Sequence, residues 1–255
     1  MLPRALRQAA RGAGFAALTL GAGTGVWAGV TRAHGDAAKM AARNRWTRAW
    51  SRELLSLFGV DLVVEGDATA GLSPDHGRVI VANHRSIIDI AVLLLLFGGA
   101  LVSRGDLEGW PLIGPAARAA GTIFVDRGNK KSGAQAIERM IARLSLHDTI
   151  CLFPEGTTYV DDEVRPFKPG ACVAATRARV PVVPVALVYP QGSDAAFGGE
   201  SFTAHLARLA ATGKTTVRVE VGQPMQLGEG ESVEAFTERC RAEVARLLGV
   251  GRGTV

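Results

Sequence analysis

From position 61 onward, short apolar runs alternate with stretches whose apolar residues recur at helical spacing. Runs at 62–64, 79–82, 100–102, 122–125, 149–153, 182–188 and 216–221 predict strands, whereas 132–146 and 232–248 predict amphipathic helices. Strands that alternate with helices predict an α/β fold, a mixed and largely parallel sheet covered by helices. Ligands of such sheets bind beyond the carboxyl ends of the strands. His84, Asp126-Arg127 and Pro154-Glu155-Gly156 each follow directly after a predicted strand, so that loops from three strands can converge on one crevice. No internal repeat or low-complexity linker interrupts this part, which reads as one domain over 59–255.

Residues 1–58 are patterned differently. No charge falls between Arg11 and Arg32, and the uncharged stretch 12–31 meets the requirement of about 20 residues for crossing a bilayer. Its Gly, Ala and Thr content makes the transfer free energy per residue small, so an interfacial helix competes with a true span. Gly21, Gly25 and Gly29 recur every fourth residue, which lets another helix approach closely. Arg4, Arg7 and Arg11 ahead of an apolar run resemble a secretory signal. The nearest small-x-small pattern, Thr31-Arg32-Ala33, carries an arginine, and cleavage is not expected. Gly12-Ala13-Gly14 matches a dinucleotide fingerprint in letters only, because no strand precedes it. Trp46, Trp50 and Leu54 share a helical stripe among Arg43, Arg45 and Arg48. Such a stripe is either a core face or a headgroup interface; the second is expected here, making 1–58 an N-terminal membrane-associated helical region.

Composition narrows the class. At 255 residues and 47% hydrophobic content, the chain can bury one sizeable core together with a membrane-contacting extension. A net charge of +5 favours anionic partners: a phosphorylated metabolite, a phospholipid surface or nucleic acid. Nucleic acid is set aside, since no zinc-type Cys/His spacing occurs and the globular part does not interleave basic with aromatic residues. Cys151, Cys172 and Cys240 lie in apolar stretches and read as buried thiols of a reducing compartment.

The candidate chemistry starts at Asn83-His84-Arg85-Ser86-Ile87-Ile88-Asp89. Histidine can take a proton near neutral pH, and a carboxylate can fix its tautomer. On a regular helix, residues five apart lie roughly 140° from one another, so His84 and Asp89 cannot share a face there. With Ser86 as N-cap and Asp89 as its capping-box partner, His84 falls in the preceding turn and its ring can fold back to the carboxylate, which has one oxygen for the backbone and one for the imidazole. The alternative is a capping aspartate beside an ordinary turn histidine. Arg127 ends the predicted strand of Gly121-Thr122-Ile123-Phe124-Val125-Asp126-Arg127 and either grips a phosphate or belongs to a surface turn. In Phe153-Pro154-Glu155-Gly156-Thr157-Thr158, a carboxylate, a glycine that permits close backbone approach and two hydroxyls suit a sugar or glycerol moiety. Lys168 adds a cation downstream, or is a solvated loop lysine. His34, His76, His147 and His205 have no partners at telling spacings and read as surface or packing residues.

Taken in order, NHRSIID, GTIFVDR, FPEGTT and VPVVPVAL at 180–187 resemble the motifs of the glycerolipid acyltransferases, most closely the lysophosphatidic acid (1-acylglycerol-3-phosphate) acyltransferases, over about residues 78–190. The resemblance implies that His84 deprotonates an acceptor hydroxyl, that Asp89 orients His84, and that the oxygen attacks an acyl thioester with no covalent enzyme intermediate. It further implies that Arg127, Glu155 and Gly156, with Thr157 and Lys168 beside them, bind the acceptor, the arginine on its phosphate. Arg104 stands where the family commonly has a lysine, and the fourth block is implicated in binding the acyl chain or donor. The implied donor is acyl-CoA or acyl carrier protein, the implied partners are membrane lipids and a lysolipid, and the implied place is the cytoplasmic face of the cell membrane. No metal or redox cofactor site is visible. One departure stands out: Thr158 occupies a position where the family usually carries an arginine. Either the remaining cations suffice for lysophosphatidic acid, giving phosphatidic acid in phospholipid biosynthesis, which is the expectation here, or the acceptor lacks a phosphomonoester, as lyso-ornithine lipid does. A hydrolase using Ser86 has against it the missing G-x-S-x-G elbow, and a non-catalytic membrane-binding module leaves the site residues without a purpose.

Overall fold

The strand Arg78–Ala82, β2 below, is buried at every position, because it lies at the centre of a sheet covered on both faces. A computed structural model describes residues 3–253; positions 1–2 of the expected region 1–58 and 254–255 of the expected region 59–255 fall outside the described residues. The chain runs α1 (Arg4–Arg32), α2 (Asp36–Phe58), β1 (Val60–Glu65), β2 (Arg78–Ala82), α3 (Ile88–Leu96), β3 (Ala100–Arg104), a 3-10 turn at Gly105–Gly109, α4 (Ile113–Ala119), β4 (Ile123–Val125) and α5 (Lys130–Leu144). It continues β5 (Thr149–Leu152), α6 (Gly170–Ala178), β6 (Val182–Val188), α7 (Phe202–Ala211), β7 (Thr215–Val221) and α8 (Val233–Arg252).

All seven expected strands join one sheet in the order β1-β7-β6-β2-β5-β3-β4. Every neighbouring pair is parallel except β6 and β7. It follows that β6, β2, β5, β3 and β4 point the same way and present their carboxyl ends along one edge. Pro184, which has no N–H to give a ladder, sits where the β6–β7 pairing is interrupted between the Val182↔Met225 bridge and the Val185↔Val221 pair. Alternate side chains feed the two cores. Ile80, Val183 and Leu187 face α1, α2, α3 and α7, whereas Val79, Val81 and Val182 face α5, α6 and α8. The three cysteines are buried free thiols.

The two N-terminal helices are part of this core, with Phe15, Leu54, Leu55 and Phe58 packed beneath the sheet. Gly25 and Gly29 admit the Trp46 ring of α2: a Cβ on Gly25 would lie 2.6 Å from it. Gly21 faces open space and takes no part in the close approach. Trp50 donates its indole N–H to the Thr19 hydroxyl at 3.2 Å, and Leu54 is buried. The expected headgroup stripe is therefore corrected: Trp46, Trp50 and Leu54 are the surface on which α1 rests, and the exposed tryptophan is Trp27. Arg7 and Arg11, two of the three arginines that resemble a signal's basic end, donate to the carbonyls of Ala211 and Thr212 where α7 ends, a place that favours cations.

Candidate active site

Five parallel strand ends converge on one place. His84 follows β2, Arg104 closes β3, Arg127 follows β4, Gly156 and Thr157 follow β5, and Tyr189 follows β6. The turn after β2 is built around Asp89, which is completely buried. Its Oδ2 accepts the N–H of Arg85 at 2.6 Å, the N–H of Ser86 at 2.8 Å and the His84 Nδ1–H at 2.9 Å. Its Oδ1 accepts the Tyr189 hydroxyl. These four donors offset the cost of burying the carboxylate oxygens. The expected capping box is corrected: the helix starts at Ile88 with Ile87, not Ser86, as its N-cap, and Ser86 Oγ accepts the Ile88 N–H at 3.3 Å instead of that of Asp89, although the Asp89 carboxylate does take the Ser86 N–H. The expected division of the carboxylate is corrected: one oxygen serves both backbone and imidazole, which leaves the other for Tyr189.

His84 is fixed on every side except one. Its N–H donates to Glu155 Oε1 at 2.9 Å, its carbonyl accepts the Tyr159 N–H at 3.1 Å, and its ring stacks on Phe153 with centroids 3.8 Å apart and planes 8° from parallel. Because the Asp89 acceptor takes Nδ1–H, Nε2 is the nitrogen left with a lone pair. The ring lines a cavity of about 550 Å³, and that lone pair is the group it offers there.

The cavity has two characters. At the strand ends its walls carry His84, Arg104, Arg127, Gly156, Thr157 and Thr158. Beyond them it is lined by apolar side chains from the N-terminal helices, α3 and α4, among them Phe15, Val26, Leu94 and Ile113. Arg104 is engaged by Asp106 through two bonds of 2.6 and 2.7 Å. Arg127 has no carboxylate within ion-pair distance among the described residues; burial and the neighbouring Arg104 push its guanidinium below the ordinary arginine value. Gly156 adopts φ +86°, a left-handed conformation that a side chain would strain.

Two expected acceptor ligands stand elsewhere. Glu155 is buried behind His84 and outside the cavity wall: Oε1 takes the His84 N–H and Oε2 the Arg165 N–H at 3.0 Å. Both oxygens are spent on the backbone, so Glu155 supports the turn. Burial pushes its carboxyl above the usual value against those two bonds. Lys168 is exposed and folds over Gly156 from outside, its Nζ 2.9 Å from where a Cβ on that glycine would stand. Sequence reasoning missed Tyr189, Phe153 and the pair His205–Glu200. His205 is completely buried, with Nδ1 3.0 Å from Glu200 and Nε2 3.5 Å from Ser86 Oγ, so it has partners after all. For Tyr189 a signal existed: it is the first residue past a predicted strand, at the edge where ligands bind.

The family whose description reads "Acyltransferase" matches residues 64–188. The chain is 30% identical over 256 residues to the lyso-ornithine lipid O-acyltransferase of Pseudomonas aeruginosa, covering 98% of this chain and 96% of that relative. It is 25% identical to the 1-acyl-sn-glycerol-3-phosphate acyltransferase of Neisseria meningitidis serogroup B, over 81% of this chain and 82% of the relative. Among solved structures it resembles the 1-acyl-sn-glycerophosphate (LPA) acyltransferase PlsC from Thermotoga maritima, with a TM-score of 0.72, 21% identity and 98% of both chains covered.

Proposed function

The chain belongs to the acyltransferase family, and from that premise we propose that it transfers an acyl chain from a thioester to the free hydroxyl of a lysolipid. The observation that carries this reading is the His84–Asp89 pair, 2.9 Å apart, at the wall of a cavity that is cationic at the strand ends and apolar beyond. His84 Nε2 takes the proton of the acceptor hydroxyl while the oxygen attacks the thioester carbonyl. A C–O bond forms, the C–S bond breaks, and the imidazolium returns its proton to the departing thiolate. Asp89 stabilises the imidazolium throughout.

For the acceptor, a lyso-ornithine lipid fits best. The relative matched over nearly its whole length carries that name. Thr158 stands where the family's arginine is usual, and Arg104 is occupied by Asp106, so Arg127 is the guanidinium left to meet a headgroup with a single carboxylate. Lysophosphatidic acid is the second reading, favoured by the placement of Arg104 and Arg127 on one cavity wall, where release of Asp106 would bring two guanidinium groups to a phosphomonoester. The donor is acyl-CoA or acyl carrier protein, which places the site at the cytoplasmic face of the cell membrane. In this reading α1 lies along the bilayer surface. Its inner face rests on α2, α4 and α7, and its outer face shows Leu6, Leu20 and Trp27, the last two within the uncharged stretch 12–31.

The test is acyl transfer from radiolabelled acyl-CoA and acyl carrier protein to a panel of lysolipids in mixed micelles, with wild type and His84→Ala. Transfer to lyso-ornithine lipid above lysophosphatidic acid is expected. The reverse order selects the second reading, and transfer to neither rejects both.

A further inference from the structure

The two oxygens of Asp89 are filled unequally. Oδ2 carries the imidazole and two main-chain donors, whereas among the described residues Oδ1 accepts the Tyr189 hydroxyl alone. Tyr189 is 4% exposed, lies outside the cavity wall, and comes from a different strand than the dyad. A carboxylate anchored through one oxygen can still turn about its Cβ–Cγ bond; a donor on the second oxygen removes that freedom and keeps Oδ2 aimed at Nδ1.

We propose that Tyr189 is a positioning residue of the reaction, locking the rotation of the Asp89 carboxylate so that His84 presents Nε2 to the acceptor hydroxyl. The proposal rests on the acyl-transfer reading above. It also assigns the VPVVPVAL segment a part in the chemistry, since the strand it forms delivers Tyr189 to the back of the dyad. Burial, reinforced by the Asp89 charge, pushes the phenol well above its ordinary value, so the hydroxyl remains a donor across any working pH. The groups that face the pair are Arg85, whose guanidinium lies 5.9 Å over the Tyr189 ring and is paired with Asp162, then Glu155 behind the His84 turn, and on the α7 side His205, Glu200 and Arg208.

Tyr189→Phe keeps the ring and deletes the donor. The expected result is a kcat about 10- to 100-fold lower, the scale of a lost hydrogen bond to a buried charge, with KM unchanged because the residue does not touch substrate. A carboxylate that has lost a donor takes up a proton more readily, alone or through its imidazole, so the acid limb of the kcat/KM profile moves to higher pH. In an Asp89→Asn background the same substitution adds no further loss. The titration of His84 followed by 15N NMR gives a readout independent of turnover and is expected to move the same way. Should Tyr189→Phe fail to fold, 3-fluorotyrosine at 189, a stronger donor, is expected to move the limb and the His84 titration to lower pH. A folded Tyr189→Phe protein with unchanged kcat, acid limb and His84 titration, altered only in melting temperature, overturns the proposal. A wild type that transfers no acyl group rejects the acyl-transfer reading instead, and the NMR titration then still decides whether Tyr189 governs the dyad.

Discussion

Glu155 illustrates what a single position does and does not disclose. The letters Phe153-Pro154-Glu155-Gly156 mark a carboxylate at a strand end, and a ligand for substrate is the natural expectation. Whether such a side chain points into the crevice or behind it depends on one turn of backbone, and here both oxygens turn back to the N–H groups of His84 and Arg165. His84 and Asp89, by contrast, were legible, because a cap geometry is written in the spacing of Ser86 and Asp89. In Glu155→Gln the amide offers one acceptor oxygen in place of two, so one backbone donor loses its partner. We expect kcat to fall about tenfold, the lower end of such a loss, with KM for the lysolipid unchanged, as steady-state kinetics can check. Stability provides a second readout. The native carboxyl sits above its ordinary value, so the folded protein binds that proton more tightly than the unfolded chain. This contribution to stability is greatest below the usual glutamate range and diminishes as pH rises toward the folded value. Urea unfolding of wild type and Glu155→Gln across that range should show this decline in the wild type and its absence in the variant. His84→Ala should lower turnover by about two to four orders of magnitude in the radiolabel assay if the imidazole is the base.

Among elements, the strands were the easiest to read. A strand buried on both faces is a continuous apolar run, and β6 coincides with its expected limits, while the remaining boundaries moved by a residue or two. Helix α5 begins two residues before the apolar pattern because Asn129 accepts the N–H groups of Lys131 and Ser132, a cap set by a polar residue outside the stripe. The pairing of α1 with α2 was only half legible. Periodicity gives the residues that share a face and leaves open what covers them, so a Trp stripe destined for a neighbouring helix reads like one destined for lipid. Two glycines on α1 separate the cases. Gly25→Ala sets a methyl group against the Trp46 ring and should cost about 1–3 kcal/mol, whereas Gly21→Ala meets nothing within 4 Å and should gain up to about 1 kcal/mol from helix propensity. Thermal unfolding of the two variants should move in opposite directions.

For the molecule as a whole, the outer face of α1 is an apolar surface with no partner among the described residues. Leu20 is 61% and Trp27 66% exposed on a helix that is long and apolar enough to cross a membrane, yet its other face is committed to the protein. Leu20→Glu with Trp27→Glu should abolish flotation of the protein with anionic liposomes and leave its melting temperature unchanged; retained flotation would put the lipid contact elsewhere. The sheet order has its own consequence. Among the described residues the strand after α2, β1, is an edge strand paired with β7, and the basic end of α1 closes on the carbonyls at the end of α7. The α7 carbonyls that hold Arg7 and Arg11 lie 204 and 201 residues later in the chain, which at roughly 5–20 residues per second is a delay of about 10–40 seconds on the ribosome. During that interval the first helix and its α2 partner have been made and the α7 end that holds its basic terminus has not, so the nascent chain can meet the bilayer before it has finished folding.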